Sequence, residues 1–288
     1  MKLSNKTIFC LFLFFAIFLF FLILKWPDKS IKITICDVGQ GDSILIQQGF
    51  FQLLIDSGRD DRVLGCLGSV LPFWDRVIEV GIVTHFDTDH MGYFGEIMGM
   101  FQWQELYFLQ PRKTSAEIKS LLEVFSQANE LGTYLKEPIL GQTIVLPSGA
   151  KVTLLEITSI NQSKTLSENN RSVGTLLEYG KTKWLFTGDG EVDWEESLLA
   201  KSILPQVDVL KIAHHGAETS SSLKFLDKLQ PKIAVISVGK NSYGHPQGSV
   251  LDLLIQTGSL IFRTDESGDI TFSSDGENIW LDKLSKRP

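Results

Sequence analysis

All five histidines of this 288-residue chain fall in three short segments: His85 and His90, His214 and His215, and His245. Each follows a stretch that reads as a buried strand, where loops commonly carry functional groups. Thr84-His85-Phe86-Asp87-Thr88-Asp89-His90 sets His85, Asp87, Asp89 and His90 close together, just after the apolar Val77–Val83. Nitrogen and oxygen donors of this kind suit Zn²⁺ or Mn²⁺. In a loop, the alternate residues His85, Asp87 and Asp89 can converge on one side, while His90 turns back toward a second ion. The competing reading is a polar loop with helix-capping aspartates.

Three further segments could join it. The apolar Trp184-Leu185-Phe186 runs into Thr187-Gly188-Asp189, which places a carboxylate at a sheet edge beside a glycine that permits close approach. Asp208–Ile212 leads into Ala213-His214-His215-Gly216, where adjacent histidines point in different directions, so one of the two is the expected ligand. In Tyr243-Gly244-His245-Pro246 the proline holds His245 extended. There His245 could be a ligand, a substrate contact or the acid that protonates a leaving group.

The elements that must position these groups alternate between strand and helix. Strands are predicted at Ile31–Asp37, Ser43–Gln47, Phe51–Asp56, Val77–Val83, Gln142–Leu146, Lys151–Ile157, Val173–Tyr179, Lys183–Thr187, Val207–Ile212 and Lys232–Val238. Others follow near Leu260–Arg263, Asp269–Ser273 and Asn278–Leu281. The clearest helix is Ser115–Leu131, with Ile118, Leu121, Leu122 and Phe125 on one stripe. Shorter helices are expected at Gly92–Met100, after Gly190, at Ser222–Leu229 and at Gly248–Thr257. No linker or repeat interrupts residues 31–288, which read as one α/β domain.

Ahead of it, Ile8–Leu24 is an uncharged run of Ile, Phe, Cys, Leu and Ala, bracketed by Lys2, Lys6, Lys25 and Lys29. At about 1.5 Å rise per residue, it approaches the thickness of a bilayer core. Lys25-Trp26-Pro27-Asp28 offers no small-residue cleavage site, so residues 1–30 read as an uncleaved single-pass anchor with a short linker. The basic N-terminus places the domain outside the cell membrane; secretion after signal cleavage is the alternative. Cys36 and Cys66 form a possible pair, but not a disulfide framework.

The whole chain carries 27 basic and 34 acidic residues. Without residues 1–32 the balance falls to −11. That argues against broad metal-free binding of a nucleic-acid backbone, yet leaves open a phosphodiester held through cations.

Together the segments resemble the metallo-β-lactamase superfamily of hydrolases, in particular the hydrolase domain of ComEC-type competence proteins and its free-standing relatives. The likeness rests on Asp37-Val38-Gly39-Gln40-Gly41-Asp42-Ser43, Leu54-Ile55-Asp56-Ser57-Gly58, the His85–His90 loop, Asn169-Asn170-Arg171-Ser172, Leu185–Asp189, His214-His215-Gly216 and Ile236–Gly239 with Tyr243–Pro246. These motifs run in order through about residues 31–275.

The resemblance implies an αββα sandwich with two divalent ions, Zn or Mn, at one edge. By carry-over His85 and Asp87 hold one ion, Asp89 and His214 the other, Asp189 bridges them, and His90 is a ligand or near-ligand of the second. Asp89 and Asp189 could take the proton of the attacking water, with His245 serving the leaving group. Asp37, Asp42, His215, Asn170 and Ser172 fall at the site mouth, and Asp56 braces neighbouring strands. Many relatives supply a third His to the first ion; here no His lies between His90 and His214.

The implied reaction is hydrolysis of an anionic phosphodiester, DNA or a wall polymer, outside the membrane. Alternatives are wall-linked phosphodiesters of the phosphocholine–teichoic acid type, small esters or lactams, or a membrane-tethered binding protein without metals. No protein partner is deducible.

Overall fold

The computed structural model describes residues 4–24, 30–157 and 166–285. Helix α1 (Asn5–Leu24) comes first, and its side chains are exposed from Asn5 to Phe20. The expected linker, 25–29, lies outside the described residues. Among the described residues no helix is long and apolar enough to cross a membrane, so the expected transmembrane element gains no support from the structure.

Among the described residues, fifteen strands then build two sheets. The first comprises β1 (Ile31–Ile35), β2 (Ile44–Gln48), β3 (Phe51–Ile55), β4 (Val77–Ile82), β5 (Gln102–Tyr107) and β6 (Tyr134–Lys136). The C-terminal β14 (Asp269–Ser274) and β15 (Ile279–Ser285) return to complete it, in the order β15-β14-β1-β2-β3-β4-β5-β6. The second comprises β7 (Thr143–Val145), β8 (Lys151–Leu155), β9 (Gly174–Tyr179), β10 (Thr182–Phe186), β11 (Val209–Lys211), β12 (Ile233–Ile236) and β13 (Leu260–Arg263). Its order is β13-β12-β11-β10-β9-β8-β7.

Packing explains the sandwich. Along β3, Leu53 and Ile55 enter the core between the sheets, while Leu54 turns to the other face. Along β10, Trp184 and Phe186 point between the sheets and Leu185 points away. Strands apolar on both faces need cover on both, and helices provide it. Helices α2 (Arg62–Val70), α3 (Thr88–Met91), α4 (Phe94–Met98) and α5 (Ala116–Glu130) lie in the first half of the chain. Val63, Phe94 and Phe125 of α2, α4 and α5 cluster with Leu54 and Trp103 on the outer face of the first sheet. Helices α6 (Val192–Ala200), α7 (Leu223–Leu229), α8 (Gly248–Gln256) and α9 (Thr264–Ser267) complete the set. Trp194, Phe225 and Leu254 of α6, α7 and α8 cover the second sheet. The result is the expected αββα layering.

The sequence reading missed α2, β5, β6 and α9, and read as a loop the segment that forms α3. Gly65 and Gly68 lower the helix propensity of Arg62–Val70. That segment is helical because Val63, Cys66 and Leu67 recur on one buried face.

Strands β3 to β6 run parallel, as do β10 to β13. Their carboxyl ends carry the chemically active loops, the edge where parallel sheets commonly bind ligands.

A disulfide between Cys36 and Cys66 ties the end of β1 to α2, with a Cα separation of 5.7 Å. Both residues are fully buried. Closing a loop of this length contributes about 3–4 kcal/mol through the unfolded chain. Unfolding by urea should therefore show the Cys36→Ala/Cys66→Ala double variant weakened by about that amount. Thiol titration of the denatured, unreduced chain should find Cys10 alone.

Candidate metal centre

The short turn after β4 delivers His85 at its start, and α3 carries Asp89 and His90 on its first turns. Asp189 arrives from the turn after β10. Gly188 there takes φ +56°, with Ser172 and Thr84 packed where a side chain would stand. From β11 the chain enters the 3₁₀ turn Ala213–Gly216, where both His214 and His215 adopt left-handed backbone. Such strain in two non-glycine residues persists only where surrounding packing enforces it.

Asp189 is the meeting point. Its Oδ2 lies 3.3 Å from His90 Nε2, 3.6 Å from His215 Nε2, and 4.0 Å from both His85 Nε2 and His214 Nε2. His215 Nε2 also lies 3.6 Å from Asp89 Oδ2, and His85 Nε2 lies 3.7 Å from Asp87 Oδ2.

Each inward imidazole is held from behind, which fixes its tautomer. His90 Nδ1 donates to Asp56 Oδ2 at 2.7 Å, and His215 Nδ1 donates to the Ser237 carbonyl at 2.8 Å. His85 Nδ1 lies 3.1 Å from Thr84 Oγ1, which in turn donates to Asp56 Oδ2 at 2.7 Å. Lone pairs on the three Nε2 atoms are thereby turned toward Asp189.

These atoms fit a cation. The Nε2 atoms of His85, His90 and His215 and Oδ1 of Asp189 are buried without a hydrogen-bond partner. Each such orphan costs about 1–3 kcal/mol, so their convergence calls for a ligand that accepts them together. His85, His90 and Asp189 can bring donor atoms within 4.8 Å of one another, and so can Asp89, His90 and His215.

The electrostatics agree. Burial alone would lower the pKa of His90 and His215, yet the charge of Asp189, with Asp56 behind His90 and Asp89 beside His215, raises both. Burial opposes ionisation of Asp89 and Asp189, yet the same histidines hold both carboxyls below the usual range. The two imidazoles and the two carboxylates thus each favour the charged form of the other, and a divalent ion at the same place would compete with protons for the imidazole nitrogens.

Several expectations shift in the structure. His215 occupies the inward position that the sequence reading gave to His214; it is buried, whereas the His214 side chain is 25% exposed. His214 Nδ1 lies 3.6 Å from Glu191 Oε1 and its ring lies beside Asn169, while its Nε2 stays 4.0 Å from Asp189 Oδ2. Asp42 is enclosed rather than at a mouth, paired with the ammonium of Lys211. Asp37 accepts from Gly39 N and shapes a turn. Asn170 accepts from Glu191 N and Trp194 N, anchoring the start of α6. Ser172 accepts from Asp189 N at 3.1 Å and lies 3.4 Å from His85 Nδ1, so it positions both. Asp56 does brace neighbouring strands by accepting from Thr84 N, and it also orients His90.

His245 sits at the rim, its ring 5.5 Å from that of His214. Burial and the two neighbouring histidines push its pKa down. Asp87 is half exposed and opens onto a groove of about 530 Å³ that Asn169, Glu191, Glu117 and Lys113 also line.

Lys211 escaped the sequence reading. It is buried, donates to the Gly188 carbonyl at 3.2 Å, and its ammonium lies 3.9 Å from Asp189 Oδ1. The available signal was a lone charge inside the apolar strand Val209–Ile212, since buried lysines are rare unless paired.

No family model matches the chain. It is 30% identical over 277 residues to ComE operon protein 3 of Bacillus subtilis, covering 88% of this chain and 34% of that protein. Competence protein ComA of Neisseria gonorrhoeae is 29% identical over 251 residues, covering 85% of this chain and 33% of ComA. The chain thus spans about a third of the length of the curated relatives it matches. Among solved structures, the metallo-β-lactamase fold protein YhfI of Bacillus subtilis aligns with a TM-score of 0.57 at 13% identity, covering 85% of this chain and 100% of YhfI. CmlA, a diiron β-hydroxylase of Streptomyces venezuelae, aligns with a TM-score of 0.56 at 16% identity, covering 85% and 54%. The chain therefore has the metallo-β-lactamase fold and, over most of its length, is similar to one third of the competence proteins.

Proposed function

We propose that the folded part of the chain is a metal-dependent hydrolase whose substrate class is a phosphodiester. The observation that carries this reading is the convergence of three unpartnered buried Nε2 atoms, from His85, His90 and His215, on the Asp189 carboxylate. Asp89, His90 and His215 would hold one divalent ion, His85 and Asp87 the other, with Asp189 shared. His215 here takes the ligand role first given to His214. Zn²⁺ or Mn²⁺ would supply Lewis acidity and a water of lowered pKa.

The protein's own groups do the positioning. Asp56 and the Ser237 carbonyl hold His90 and His215 in register. Lys211 offsets Asp42 and Asp189 from below. His214 and His245 stand at the rim, where a leaving group would depart and accept a proton.

Support for DNA as substrate comes from the resemblance to proteins named for competence. The carboxylates Asp87, Glu117, Glu168 and Glu191 around Lys113 favour a second reading, a phosphodiester with a cationic substituent such as phosphocholine. For location, the apolar run Ile8–Leu24 supports a membrane tether, and the buried Cys36–Cys66 disulfide supports an oxidising compartment outside it.

Full-length protein loaded with Zn²⁺ or Mn²⁺ and then dialysed should retain one to two equivalents by elemental analysis; less than about half an equivalent under every condition would overturn the hydrolase reading. The loaded protein should cleave single-stranded DNA or bis-(p-nitrophenyl) phosphate faster than esters or lactams, and a phosphocholine ester tests the second reading.

Asp189→Asn should lower metal content and reduce turnover by at least about 10²-fold. Asp56→Asn should weaken metal affinity by about 10–100-fold through a loosened His90. It should also lower the melting temperature, because Thr84 N loses its charged acceptor. Metal titration and thermal unfolding, run side by side, separate the two variants.

A further inference from the structure

The edge opposite the metal centre carries a row of exposed apolar side chains. Phe50 lies in the β2–β3 turn, Phe73 and Trp74 just before β4, Met100 just before β5 and Leu131 just before β6. Phe73 is 79% exposed and Leu131 90%, with Phe50, Trp74 and Met100 each above 40%. Strands β3, β4, β5 and β6 are consecutive and parallel, so these residues all stand along a single end of the sheet.

The row is presented rather than collapsed. Phe73 and Trp74 pack edge to face at 4.8 Å. Behind them Asp75 accepts from Gln52 Nε2 and from Val77 N, which fixes the loop. Arg76, exposed beside them, lies over the Phe101 ring at 5.6 Å. Exposed contiguous apolar surface with an aromatic pair and a flanking cation suits a bilayer interface.

The path of the chain names the occupant. Strand β1 pairs antiparallel with β2, so it starts at the end where the β2–β3 turn lies. Residue 30 therefore enters the domain at this same edge. Only residues 25–29 separate it from helix α1, which at about 3.3–3.6 Å per residue span at most about 20 Å. If α1 is inserted, this edge stays within about 20 Å of the membrane surface.

We propose that this edge rests on the lipid surface, with Phe73 and Trp74 dipping into the headgroup layer. The metal centre then faces away from the membrane, at the far end of strands β4 and β10. This rests on the tether reading above, and the lysines flanking the apolar run favour anionic lipid.

The test uses the full chain in nanodiscs of phosphatidylglycerol and phosphatidylethanolamine, with Cys10 replaced by serine. A polarity-sensitive fluorophore is attached at Phe73→Cys or, at the opposite edge, at Lys240→Cys. The Phe73 probe should emit to the blue and be quenched by nitroxide-labelled lipid; the Lys240 probe should show neither effect. Melting temperatures matching the unlabelled chain confirm that both variants fold. Carbonate washing of membranes containing the full chain tests the tether separately. A chain that withstands carbonate while its Phe73 probe reports water overturns the edge. A chain stripped by carbonate whose probe had reported lipid overturns the tether and leaves the edge standing. A stripped chain with a water-exposed probe overturns both.

Discussion

Asp189 keeps a carboxylate almost wholly out of water, and much of the surrounding architecture answers that cost. Three imidazoles, one ammonium and the Ser172 hydroxyl gather around it or its backbone, drawn from three separate stretches of chain. Each of those groups has its own support: Asp56 behind His90, Ser237 behind His215, Asp42 against Lys211. A carboxylate so placed is held ionised by the imidazoles and the ammonium around it.

The two sheets make this convergence possible. Parallel strands deliver successive loops to the same edge, so residues about 100 positions apart, such as His85 and Asp189, come within 4.0 Å. The interior behind them is packed by strands apolar on both faces, which gives the loops a rigid base. The same topology sends the amino ends of those strands, and the entry of the chain, to the opposite edge. One end of the sandwich is thus polar and chemically active, and the other is apolar. The shared fold with a diiron β-hydroxylase means that the reaction is decided by the loops and not by the layers.

What the sequence determined by itself was which residue types could do chemistry, how they are spaced, and most of the strands that precede them. Five histidines confined to three strand-end segments, and carboxylates at matching places, are legible because chemistry depends on residue type and local spacing. The layering was legible because strands buried on both faces read as continuous apolar runs.

Orientation was not legible. Which of His214 and His215 turns inward depends on left-handed backbone at both residues and on a carbonyl from β12's end, a contact 22 residues away. Asp56 reads as a strand brace until α3 brings His90 against it, and Asp42 reads as a site-mouth residue until β11 places Lys211 beside it. Asn170, expected at the site, instead anchors α6, because its amide oxygen meets two backbone N–H groups that only folding brings near. Local sequence fixes what a side chain can do. Its neighbours across the sheets fix which way it points, and that is a long-range property that only the tertiary structure decided.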